Sequence, residues 1–198
     1  MADGSDSRPS AALRAHMVQL GLEQLTTLEP SVAEAVRRRI GDEVLDRITG
    51  ASRVEWLPVT LQIAVNDALF EELAPADYDA FWRRTGLASA QSSMFNRLVQ
   101  GAMRLFGVSP TPIYKMFPRA NLHVTRGLGE YLVTPADEPP QIQLEWHSIA
   151  PELRGSVSWL ASSRATMLTP LDMLGLSGAI EIDDAEYSDG RVVYRIRW

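Results

Sequence analysis

Cysteine is absent from the 198 residues, which removes disulfides, thiolate metal sites and a cysteine nucleophile at once. Histidine is scarce. His16, His123 and His147 are the three present, and no two stand a helical turn apart, so a protein-only transition-metal site lacks ligands. No apolar run approaches the ~18 residues needed to cross a bilayer, and Met1 to Arg8 contain no apolar core of a secretory signal, so the expected location is cytoplasmic. Positive charge is in deficit. A formal net charge of -6 offers no field for a phosphate backbone, and Arg37, Arg38 and Arg39 fan over about 200° of a helix, so nucleic acid is not an expected partner. Catalytic motifs are missing too: there is no Gly-x-Ser-x-Gly elbow, and Gly127-Leu128-Gly129 is half a phosphate loop without its Gly-Lys-Ser/Thr ending. The expectation is a chain that is not an enzyme and carries no cofactor.

What is present is ordinary for a folding chain, with 45% hydrophobic and 22% charged residues. Residues 1–9 are small and polar and predict a mobile tail, followed by a single domain over 10–198. Proline punctuates that domain. Pro30, Pro58, Pro75, Pro110 or Pro112, and Pro170 each precede a helix-like segment, where a missing N–H is tolerated, while Gly86, Gly107 and Gly127 stand where such segments should stop. From Pro58 to Leu73 the residues are apolar on nearly every side, which predicts a central, covered helix. Tyr78, Phe81 and Trp82 share one helical face, and Phe95, Leu98, Val99, Ala102, Leu105 and Phe106 form a longer stripe. Ile113, Met116, Phe117 and Ala120 repeat the pattern across Pro118, which predicts a kinked helix.

After Gly129 the period changes from helix to strand. Ile142, Leu144 and Trp146 alternate with polar neighbours, as do Val192, Tyr194, Ile196 and Trp198 among Arg191, Arg195 and Arg197. A helix from about Ser156 to before Thr169 separates the two, and Thr169, Pro170 and Asp172 predict the cap and first turn of another short one. The order predicts an α+β fold with a helical layer on one face of a small, about four-stranded antiparallel sheet that ends in a C-terminal β-hairpin. A three-residue loop, Ser188-Asp189-Gly190, would set Ile182 opposite Ile196 and Ile180 opposite Trp198, with Asp183 beside Arg195 and Glu181 beside Arg197. Those pairings turn the dense acids Glu181, Asp183, Asp184, Glu186 and Asp189 away from a metal reading and toward a solvated, charged sheet face.

Leu57-Pro58 opening a buried helix, the Phe117-Pro118-Arg119 step before the sheet, and the ending Gly190 to Trp198 carry a resemblance over residues 57–198. The chain there resembles a myxobacterial paralogous family of unknown function. That family is itself similar to the wider group of heme nitric-oxide-binding domains, four-vinyl reductase domains and TRAPP vesicle-tethering subunits. The resemblance implies helices over a four-stranded antiparallel sheet, often with a cavity for an apolar ligand between them, and relatives that sense or bind more than they catalyse. The heme-binding branch carries a ligating histidine before the sheet and a Tyr-x-Ser-x-Arg signature for the propionates. Here Trp146-His147-Ser148-Ile149-Ala150 keeps only the serine, and His123 is the ligand candidate by position.

Two functions follow as expectations. The first is a sensory or regulatory module binding a small apolar ligand in a pocket of Ile113, Met116, Phe117, Ala120, His123, Ile142, Leu144 and Trp146. The second is a solid-core interaction module that forms a homodimer or docks a protein partner, as the TRAPP-like resemblance allows.

Overall fold

The computed structural model describes residues 10–92, 109–135 and 141–198. The tail 1–9, the stripe from Phe95 to Phe106 and the stop at Gly107 lie outside the described residues. The chain starts with strand β1 (Ala12–Arg14) and helix α1 (Ala15–Gln24), then α2 (Pro30–Ile40), α3 (Asp42–Thr49), β2 (Trp56–Pro58), α4 (Val59–Glu72) and α5 (Pro75–Ser92). Helix α6 (Thr111–Val124), β3 (Thr125–Arg126), β4 (Glu130–Pro135), β5 (Gln141–His147), α7 (Val157–Met167), α8 (Thr169–Met173), β6 (Ala179–Asp183) and β7 (Arg191–Arg197) complete it. The four-stranded sheet has the order β4-β5-β7-β6, antiparallel throughout, so the fold is α+β as the residue patterns predict. One apolar core runs from Ala15 and Val18 in the first helix to Tyr194 and Ile196 in the last strand. Among the described residues no helix is long and apolar enough to cross a membrane.

The proline signals place their helices correctly: Pro30 and Pro75 open α2 and α5, and Pro58 stands just before α4. Gly86 does not end a helix. It lies inside α5 because a Cβ there would come within 2.2 Å of the Thr169 Oγ1, so the glycine serves a close approach between α5 and α8. Thr169 is not the cap of α8 either; Leu168 holds that position, and the buried Thr169 hydroxyl has no hydrogen-bond partner among the described residues. Helix α4 is less covered than its composition suggests. Phe70 stays exposed, and the buried side includes Gln62 and Asn66, joined by a 2.8 Å bond that continues from Asn66 Nδ2 to the Ser162 Oγ of α7 at 2.9 Å. Pro118 sits inside α6 without ending it.

The hairpin differs in register. The pairs are Ile180 with Ile196, Glu181 with Arg195, and Ile182 with Tyr194, two residues away from the expected alignment. A slip of two keeps every side chain on its face, so alternation cannot detect it. What sets the register is a longer loop, Asp184 to Gly190, closed by bonds from Tyr187 N to Asp184 O and from Arg191 N to Glu186 O. The Tyr187 ring is buried, and its hydroxyl donates to the carbonyls of Leu153 and Ser156 just before α7. The sheet's outer face carries a charge ladder: Arg195 on Asp183 at 3.4 Å and Arg197 on Glu181 at 3.2 Å are the expected partners, met diagonally and not directly opposite, and Arg191 on Glu145 at 3.0 Å was not expected. It remains accessible at Glu181, Asp183 and Arg197.

A second, three-stranded sheet, β2-β1-β3, was not foreseen from the sequence. Its strands of two or three residues are too short to show a period, and they join points far apart in the chain: Ala12 pairs with Pro58 on one side and with Arg126 on the other.

All five tyrosines have phenols pushed above their ordinary value, with burial as the main cause. The unfolded chain ionises its phenols near ~10, whereas the folded chain holds them protonated, so stability falls as pH rises above ~10. Phenolate absorbance should therefore stay low as the native protein is made alkaline and then rise in one cooperative step with the loss of helix; a gradual titration of separate phenols in the folded state would contradict this. The Tyr187→Phe variant, which removes two buried bonds, should lose about 1–2 kcal/mol in urea unfolding.

Candidate functional site: the seam between α6 and the sheet

Ile113, Met116, Phe117 and Ala120 follow the i, i+3, i+4, i+7 spacing and so share one face of α6. Helix α6 packs on β4, whose inward side chains Tyr131 and Val133 pair with Trp146 and Leu144 of β5. The seam is aromatic. Phe117 meets Tyr131 edge to face with centroids 5.0 Å apart, and Tyr131 stacks on Trp146 at 5.5 Å with the rings within 10° of parallel. At the other end of the helix Tyr114 stacks on Trp198 at 6.4 Å and donates its hydroxyl to the Met167 carbonyl at 2.8 Å.

The expected pocket residues separate into three groups. Ile142, Leu144 and Trp146 have no exposed surface, and Ile113 has almost none. Met116, Phe117 and Ala120 are half-buried, so α6 keeps part of its apolar face open. His123 lies near the helix end and is exposed, at the flank of the stripe. Tyr131 and Gly129 belong to the same place and were missed. The alternation Tyr131, Val133 was a legible strand signal; the role of Gly129 was not. Its φ is +121°, and a Cβ there would stand 2.7 Å from both the Trp146 Nε1 and the His147 carbonyl, so only glycine lets the indole pass. The Trp146 Nε1 is buried there without a hydrogen-bond partner among the described residues.

Two open clefts lie elsewhere. One, of about 380 Å³, is lined by Ile63, Asp67, Phe70, Arg154, Ser156 and Val157, and the other, of about 620 Å³, runs beside Asp79, Arg83, Arg84, Leu87, Asp172 and Leu176. Neither includes a residue of the seam. Among the described residues no three His, Asp or Glu side chains converge to hold a metal ion. His147 lies on the outer face 4.0 Å from Glu130, and the His16 Nδ1 is 3.1 Å from the Arg53 carbonyl.

No family model and no curated protein matches the sequence. Solved structures do match the architecture. The Fe(II) unliganded H-NOX protein from K. algicida is 9% identical with a TM-score of 0.60, over 93% of this chain and 96% of that one. A point mutant of the same protein gives 10% and 0.59 over 93% and 96%. A structure solved in work on heme redox potential and protein-induced porphyrin distortion gives 13% and 0.58, over 94% of this chain and all of that one. The chain has the H-NOX fold. At such identities the likeness is one of fold alone.

The described residues of the seam do not fit a heme. A porphyrin needs an axial ligand and cations or donors for two propionates, since unpaired buried carboxylates cost several kcal/mol. His123 is exposed, and the resemblance sets Trp146, whose ring is fully buried, at the position of the signature tyrosine. Ala150 offers no charge where the arginine would stand, and Arg126, the nearest cation in sequence to His123, lies over the Trp56 ring at 4.6 Å. Ser148 keeps the signature's serine but is exposed, at φ +53°.

If the Trp146 ring fills this space, the Trp146→Ala variant should lose about 3–5 kcal/mol in urea unfolding. It should also gain a saturable site for benzene, seen as a rise in melting temperature that the wild type does not show. Equal response to benzene in both proteins would contradict the packing described.

Proposed function

We propose that this chain is a non-catalytic sensory or regulatory domain that binds a small apolar ligand at the seam of α6 and the sheet, and that it works without heme. The observation that carries the reading is the partly open apolar row Met116, Phe117 and Ala120, set against a sheet wall of Tyr131 and Trp146. Such a lining, with few polar groups, suits an uncharged and largely apolar molecule. The fold supports it, because its neighbours include H-NOX proteins and a structure studied for its porphyrin. Ligand binding would act by shifting α6, whose far end is tied to β1 and β2 through β3, so occupancy would be felt in the N-terminal helices. No catalytic residue is assigned. The alternative, an interaction module with a solid core that dimerises or docks a protein partner, is favoured by the complete burial of Ile142, Leu144 and Trp146.

Native mass spectrometry of the purified protein separates the two readings. A co-purified molecule released on unfolding supports the ligand-binding domain, whereas a dimer mass without added ligand supports the interaction module. Hemin added to the protein and to a His123→Ala variant should give no sharp Soret band in either. A sharp band in the first that is lost in the second would overturn the heme-independent reading.

A further inference from the structure

A different site is built on the small sheet, on the face shared by Arg14, Trp56 and Arg126. Arg14 pairs directly with Trp56, and Arg126 pairs with Ala12, two residues from Arg14 and therefore on the same face. Both guanidinium carbons lie over the one indole ring, at 3.9 Å for Arg14 and 4.6 Å for Arg126. Cation–π attraction holds them there but neutralises neither charge. Among the described residues no carboxylate forms an ion pair with either arginine. The adjacent acids are committed elsewhere, Glu55 to Arg47 at 2.6 Å and Glu23 to Arg53 at 3.6 Å. In a chain of net charge -6, two cations that share one ring and have no ion-pair partner among the described residues form a local positive site.

We propose that Arg14 and Arg126 form an anion clip for a phosphate monoester, with Trp56 as the platform that holds the two forks. Arg14 gives one N–H to the Val54 carbonyl and keeps its others, while Arg126 is exposed. Two planar forks offer bidentate bonds to a group carrying close to two negative charges, a better match than a single carboxylate. The phosphoryl group could come from a soluble ester or from a lipid headgroup, and the site favours the soluble one. Glu55, next to Trp56 in sequence, and Glu23, paired with Arg53, bring negative charge to this side of the fold, a poor surface for an anionic membrane.

The test is a titration of the full chain with O-phospho-L-serine at constant ionic strength, followed through the indole N–H resonances. The Trp56 signal, assigned by its loss in Trp56→Phe, should move saturably. Arg14→Gln and Arg126→Gln should each weaken binding roughly tenfold, while Arg119→Gln on the exposed side of α6 leaves it unchanged. Arg126 is exposed, so that variant should keep a folded spectrum and decides the matter if Arg14→Gln does not fold. An equal shift with L-serine, an unchanged affinity in Arg126→Gln, or an equal loss in Arg119→Gln would overturn the clip. Binding to phosphatidic acid vesicles with no response to O-phospho-L-serine would overturn it as a soluble-ester site.

Discussion

Helix α7 is held by buried phenols, and the packing of both layers depends on those bonds. Tyr187 reaches the carbonyls of Leu153 and Ser156 before its first turn, Tyr78 donates to the Ser158 carbonyl at 2.7 Å, Tyr194 meets the Ser163 hydroxyl at 3.0 Å, and Tyr114 donates to the Met167 carbonyl at its end. These tyrosines come from α5, α6, the hairpin loop and β7. One helix is thereby registered against four separate parts of the chain. A phenol suits this task because its ring contributes apolar burial while its hydroxyl satisfies a polar group that water cannot reach. Asn66 adds a fifth tie from α4 through Ser162.

With α7 fixed, the sheet can present one face to the helices and leave the other to water. The inner face is finished by aromatic stacking under α6, the outer by arginine and carboxylate ladders. Each exposed pair is worth only about 0.2–1 kcal/mol, so the ladders act mainly to keep the outer face solvated and in register. In the seam the Trp146 indole is fully buried, and a glycine bend at Gly129 makes room for it.

Much of the architecture was legible because it rests on local rules. Pro30, Pro58 and Pro75 mark helix starts through the geometry of their own rings, and the alternation at Ile142, Leu144 and Trp146 reports a face buried on one side. The misses have a common physical cause in tertiary contact. Gly86 looks like a helix stop until Thr169 is seen above it, and the hairpin register depends on Tyr187 binding residues some thirty positions earlier in the chain. Gln62 and Asn66 read as breaks in an apolar helix, yet they satisfy each other and Ser162. For the seam, the residue types facing it could be read from spacing on α6 and β5, while how far each is covered depends on neighbours that spacing does not specify.

The small sheet also imposes an order in time. Its central strand, β1, lies near the beginning of the chain, but its partner at Arg126 comes more than a hundred residues later. At synthesis rates of roughly 5–20 residues per second, β1 waits on the order of 6–20 s for that edge to leave the ribosome. During the interval it can pair only with β2, as a two-stranded ribbon of marginal stability. Closing so long a loop carries an entropic cost that later packing must offset, which places the joining of β3 to β1 among the last events of folding. The Trp56 ring, which carries an arginine from each side of that closure, becomes a marker for the moment at which β3 joins β1.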